Sequence, residues 1–213
     1  VGVTTDLGRR IELVSMDPHF HNVTMGLYRQ ESGSGPVFLV HSYSGKNGAR
    51  ERLTAVAGAM AILGGLEILP GEASKVRFPC GADHLLAVRR VFLEACKLDP
   101  SLPVQSRPLW ILDKKSGRTV TVTSQGTGAY LLTADGDEQD KASRVAAIAN
   151  GLVKLGQMHS TEPAGDRVAF YCGQAHDALV GLLLIRALNV RAVLREQEMA
   201  ASRGILSAPS AQK

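Results

Sequence analysis

Val76-Arg77-Phe78-Pro79-Cys80-Gly81-Ala82-Asp83-His84 returns further along the chain as Val168-Ala169-Phe170-Tyr171-Cys172-Gly173-Gln174-Ala175-His176. The offset is constant across the phrase: 168 − 76 = 92 and 176 − 84 = 92. Outward from it the frame holds without a gap. Arg52, Ala55, Ala57, Leu63 and Gly64 meet Arg144, Ala147, Ala149, Leu155 and Gly156, and Val88 and Ala95 meet Val180 and Ala187. A doubled V-x-F-x-C-G-x-x-H with matching flanks makes the chain a tandem duplication of one supersecondary unit. Two copies are too few, and each is too long, for a solenoid.

The local pattern within each copy sets the element order. Residues 9–16 and 22–31 read as strands either side of an Asp17-Pro18 turn, and Gly33-Ser34-Gly35 leads into a third strand from Pro36 to Ser42. In the second copy, 109–113, 118–124 and 129–133 read as strands, with turns at Lys114–Gly117 and Gly126-Thr127-Gly128. Apolar residues at helical spacing follow, over 50–63 and 142–155, each run ending on a glycine suited to a helix C-terminus. A loop with Pro and Gly, a short apolar strand (76–78 or 168–171) and a second helix to about Lys97 or Leu188 complete each copy. Val190–Leu194 reads as a last strand.

The expected fold is therefore α+β, a tandem internal duplication of a β-β-β-α-β-α unit packed about a pseudo-twofold axis, by the logic of isologous dimers. Repeat one spans 8–99 and repeat two 104–195, with Pro100–Pro108 as linker and a mobile C-terminal tail over 196–213. Each copy is expected to contribute an antiparallel sheet of three or four strands.

Composition narrows the function classes. The 213 residues are 45% hydrophobic and 21% charged, ordinary values for a folded chain with a substantial core. The net charge of +4 is mild, and the adjacent basic pairs of note, Arg89-Arg90 and Lys114-Lys115, lack the interleaved aromatics of a nucleic-acid platform. No apolar run reaches the roughly 18 residues of a membrane span, and no leader pattern opens the chain. Three cysteines, an odd number, point to reduced thiols and a cytoplasmic protein rather than a disulfide framework. Small side chains dominate, so the core is expected to be built from closely approaching elements, and a homo-oligomer is expected.

The doubled C-G-x-x-H carries the chemistry. It falls where a strand ends and a helix is expected to begin, so Cys80 and Cys172 would occupy first turns, where unpaired amides and the macrodipole favour negative charge. His84 and His176 would lie one turn on, facing the same way. Three uses follow. Cys80, His84, Cys172 and His176 together form a Cys2His2 set that suits tetrahedral zinc. Either cysteine could act as a catalytic nucleophile with its histidine as base. Gly81 and Gly173 would let a small-molecule or anionic ligand approach the helix N-termini. Against all three stands a plain packing joint, with cysteine as a small buried hydrophobe.

Elsewhere, Ser44-Gly45-Lys46-Asn47-Gly48 lacks the spacing of a phosphate loop, but Gly45 and Gly48 could offer amides to an anion at a helix entry. Asp17, His19 and His21 alternate along a strand-like segment and could be joined by His41, a set that the second copy lacks. Cys96 reads as core. From Cys172 to Ala192, the phrase ending Leu184-Ile185-Arg186-Ala187-Leu188-Asn189-Val190-Arg191-Ala192 resembles the nucleophile helix of transglutaminase-like proteases. That family carries its catalytic His and Asp on strands after this helix, and no histidine here follows His176, so its activity does not carry over. The leading expectation is a small binding or assembly protein with its site at the doubled motif. The alternative is a thiol- or zinc-dependent enzyme using the same residues.

Overall fold

The computed structural model describes residues 6–15, 23–43, 48–163 and 165–206. Contacts divide the chain into two compact units: one of residues up to Asp83 with Val88–Gln105, the other of His84–Ala87 with the chain from Ser106 onward.

In the first unit, β1 (Arg9–Ser15), β2 (Thr24–Gln30) and β3 (Val37–Ser42) form a meander. Helix α1 (Ala49–Gly64) follows, then β4 (Glu67–Leu69), β5 (Glu72–Arg77) and α2 (Leu85–Lys97), of which Val88–Lys97 lies in this unit. The second unit repeats this order with β6 (Trp110–Asp113), β7 (Arg118–Gly126), β8 (Ala129–Ala134), α3 (Glu138–Gly156), β9 (Met158–Ser160), β10 (Arg167–Phe170) and α4 (Asp177–Ala187), then adds α5 (Val190–Ser202). The sheet orders are β1-β2-β3-β5-β4 and β6-β7-β8-β10-β9, antiparallel throughout. The fold is α+β, built from two similar sheet-and-helix units.

The duplication extends to individual residue pairs. Phe38 pairs with Val76 across β3 and β5, and Tyr130 with Val168 across β8 and β10. Ile68 faces Val76 in the first sheet as Ser160 faces Val168 in the second. Helix α1 buries Val56, Ala57, Met60 and Leu63; α3 buries Ile148, Ala149, Leu152 and Leu155 at the same offset. These stripes pack on the strands of their own sheets, the usual solution for an amphipathic helix.

Three local readings are corrected. Each sheet has a short extra strand, β4 or β9, which makes it five-stranded; three residues at a sheet edge carry too little alternation to read from sequence. Helix α3 begins at Glu138 because the Asp137 side chain accepts the Asp140 N–H at 3.1 Å, and Glu138 and Asp140 lie at the positive end of its dipole. The Val190–Leu194 segment is helical, not extended. The Asn189 side chain caps it by accepting the Ala192 N–H at 3.2 Å, and Val193, Glu196 and Ala200 form its buried stripe.

The units diverge where their helices meet other parts of the fold. In β1 a bulge between Arg10 and Glu12 turns both Ile11 and Glu12 inward. Glu12 there accepts from Arg89 Nε at 2.8 Å, and both side chains are at most 3% exposed. The equivalent of Arg89 in α4 is Gly181, and the backbone entering β6 fills that space: a Cβ on Gly181 would lie 2.4 Å from the Arg107 carbonyl oxygen. Gly181→Ala is accordingly expected to cost about 1–3 kcal/mol by overpacking. Gly58, inside α1 with open space around its Cβ position, should instead gain about 0.4–1 kcal/mol on replacement by alanine. Urea unfolding midpoints of the two variants, moving in opposite directions, check both expectations.

Candidate metal centre

The doubled motif forms a tight turn ahead of each helix, rather than the helix's first turn. The Gly81 N–H donates to the Phe78 carbonyl at 3.0 Å, and the Gly173 N–H to the Phe170 carbonyl at 3.2 Å. Each cysteine sits within that turn, and the glycine after it adopts φ of +75° or +71°, a conformation that other residues rarely take. Helices α2 and α4 then begin directly after His84 and His176. The glycine reverses the chain before helical hydrogen bonding can start, so the cysteines do not sit on the first-turn amides. In each unit a β-hairpin glycine presses on this turn. A Cβ on Gly35 would meet the Gly81 carbonyl oxygen at 2.8 Å, and one on Gly128 the Gln174 carbonyl oxygen at 2.7 Å.

Three of the four expected ligands belong to the second unit: His84, Cys172 and His176. Their ligand atoms lie within 4.8 Å of one another. Cys172 Sγ is 3.2 Å from His176 Nε2. The His84 and His176 rings meet edge-on with centroids 4.8 Å apart, and each packs against Phe170. Both imidazoles are buried, at 7% and 6% exposure, while Cys172 is half-buried. Cys80 belongs to the stretch that leads into His84, and the Ala82 N–H points at Cys80 Sγ from 3.4 Å. His84, Cys172 and His176 thus form a Cys/His group near helix starts able to hold a metal ion.

The backbone around these donors is firmly held. His84 has φ of +38°, a strained value for a non-glycine residue of the kind that concentrates at functional sites. The next turn is anchored by Gln157, whose side-chain oxygen accepts the Leu86 N–H at 3.3 Å. His176 is fixed through Tyr130. The fully buried Tyr130 hydroxyl accepts the His176 backbone N–H at 2.6 Å and donates to Asp177 at 2.8 Å. Burial in this setting, together with its partner Asp177, pushes the Tyr130 hydroxyl well above the ordinary phenol range.

Tyr130 and Asp177 stand where the first copy has Phe38 and Leu85. Sequence reasoning passed over them. The readable signal was a polar replacement at two linked positions of one copy.

Burial holds the His176 imidazole down at about 4, with the nearby His84 ring adding to the effect and Asp177 opposing it. The sign of the pH effect follows. The unfolded chain takes up a proton near the ordinary 6.5, so between that value and 4 it binds more protons than the folded chain does. In metal-free protein this contribution to stability is complete above the unfolded value and is lost as the pH falls towards 4. The groups facing the ring are His84, Cys172 and Asp177. Denaturant midpoints of chelator-treated protein should fall between neutral pH and pH 4.5; a flat profile would mean that the ring is solvated.

The other expected sites come out differently. Gly48 precedes α1 with φ of +88° and no side-chain cap, while Gly45 falls outside the described residues. Asp17, His19 and His21 also fall outside them; His41 packs edge-on against Tyr43 and Tyr28. Cys96 is buried, and desolvation pushes its thiol up to about 12, as expected of a core residue. Among the described residues no helix is long and apolar enough to cross a membrane. Compared with family models, with curated proteins and with solved structures, the chain matches none.

Proposed function

We propose that this chain is a zinc-binding protein in which Cys80, His84, Cys172 and His176 hold one ion and secure the turns that carry them. The observation that supports this best is the convergence of His84, Cys172 and His176 inside one unit, with Cys80 next to His84 along the chain. Two sulfurs and two imidazoles are the donor set of tetrahedral structural zinc. A histidine held neutral down to about pH 4 has its lone pair available for a metal.

The same low basicity weighs against thiol catalysis, because a ring that resists protonation is a weak base for the thiol and forms no imidazolium to stabilise its thiolate. An anion pocket has less support as well. The His176 amide is taken by Tyr130 and the Leu86 amide by Gln157, and Asp177 brings a carboxylate to the start of α4. A closed set of four protein donors leaves no open coordination position, so the metal serves structure and the protein acts by binding or assembly.

Elemental analysis of protein purified without chelators is expected to give one zinc per chain. Cobalt substitution should add thiolate charge-transfer absorption, lost in Cys80→Ala and in Cys172→Ala. Protein that retains no metal, with either thiol alkylated rapidly at neutral pH, would refute this reading and favour the thiol enzyme.

A further inference from the structure

We propose that the second unit carries a binding site for a small aliphatic amino acid beside Arg144. Arg52 on α1 and Arg144 on α3 are equivalent in the repeat, since 144 − 52 = 92. Arg52 is buried and donates to the carbonyls of Cys96 at 2.7 Å and Leu98 at 3.1 Å, and so holds the end of α2. In the second unit the matching helix is shorter. Helix α4 stops at Ala187, and the residues equivalent to Cys96–Leu98 lead into α5 under the Asn189 cap.

Arg144 turns instead to Asp113, the last residue of β6, with which it forms an ion pair. Its Nε is buried with no hydrogen-bond partner among the described residues. Beside it a cavity of about 300 Å³ opens between α3, the end of β6 and the α4–α5 joint. An arginine that caps a helix in one copy thus borders a cavity in the other.

The walls define the occupant. Ile148, Leu188 and Val190 supply an aliphatic side, and Arg144, Asp113 and Asp140 a charged one. Asp140 is also paired with Arg118 at 2.9 Å, and Arg118 with Asp137 at 3.4 Å. Groups of both signs beside an aliphatic wall suit a zwitterion with an apolar side chain. Its carboxylate would face the Arg144 guanidinium, the group best suited to a planar carboxylate. Its ammonium would face Asp113 and Asp140, and its side chain the aliphatic wall. A cavity at the lower end of the ligand-pocket range accommodates a leucine-sized molecule.

Titration calorimetry and amide chemical shifts with L-leucine, isocaproate and isoamylamine test the assignment. Leucine should bind saturably and shift the amides of Ala147 and Ala187. Loss of either charged group should weaken binding by about tenfold or more, as expected when a charge-assisted contact is removed. Arg144→Met should have a similar effect. Ala147→Leu, placed on an exposed position of α3 that lines the cavity, should block binding while keeping the ion pair, and it remains decisive if Arg144→Met fails to fold. No saturable response to leucine at millimolar concentration, or equal binding of either half-ligand, would overturn the proposal. The inference is independent of the metal centre, which none of these variants touches.

Discussion

If the Cys/His group binds zinc as proposed, removing the ion with a strong chelator is expected to cost about 4 kcal/mol of stability relative to a state with free zinc at roughly a thousandfold its Kd. For a chain of this size that corresponds to a fall of about 8–16 °C in Tm. The reason is local. Both C-G-x-x-H turns depend on positive-φ glycines, and His84 itself is strained, so the donors are held by a backbone that a bound ion would reinforce. Cys172→Ala should reproduce the loss, and chelation of that variant should add nothing further. Cys96→Ala is the contrasting case: its thiol is buried in the core, so the variant should keep its metal and its response to chelator. Calorimetric melting with and without chelator makes the comparison. An unchanged Tm in the wild-type protein would be inconsistent with a structural metal.

Glu12→Ala should be nearly as damaging, at about 3–5 kcal/mol, the usual result of removing one partner from a buried ion pair. Arg89 is 1% exposed and lies 2.8 Å from Glu12. The variant therefore takes a carboxylate partner from a guanidinium buried in the core of the first unit. The double variant Glu12→Met with Arg89→Met should recover most of the loss, because an apolar pair of similar volume carries no desolvation cost. By comparison, the exposed Lys97–Glu94 pair should change stability by about 0–1 kcal/mol when broken. Urea unfolding of the single and double variants measures the coupling. Additive losses would mean that the two charges act independently.

The β-β-β-α-β-α order was legible because core positions recur in one frame. Val76 and Val168, Phe78 and Phe170, Leu63 and Leu155 are buried equivalents, and a shared frame constrains sequence strongly. The short strands β4 and β9 and the start of α5 were not legible, since they depend on edge pairing and on a single Asn cap. In α5, Val190-Arg191-Ala192-Val193-Leu194 mimics a strand, yet the buried positions at Val193, Glu196 and Ala200 are spaced for a helix.

At the site, the donors could be read from the sequence but their setting could not. Whether a Cys-Gly step enters a helix or a turn depends on the glycine φ, and composition does not encode that. The Arg144 cavity is less visible still, because it arises from where α4 ends and not from any motif.

The sheet order carries a consequence for how each unit folds. Most neighbouring strands are joined by short connections and can pair early. One seam differs in each sheet: β3 meets β5, and β8 meets β10, only after a helix and a short strand have been traversed. The paired residues are equally separated, 76 − 38 = 38 and 168 − 130 = 38. Loop-closure entropy grows with the logarithm of that separation, so both units face the same entropic barrier at this seam. Pairing across it is the least local step of each sheet, and topology of this kind sets folding rates. Rate differences between the units should therefore arise outside the seam. The hairpins are the natural source: Gln30 and Val37, paired at the end of β2 and the start of β3, enclose six residues, whereas Gly126 and Ala129 enclose two. The tighter hairpin gives the second unit a shorter first closure and should give it the faster start.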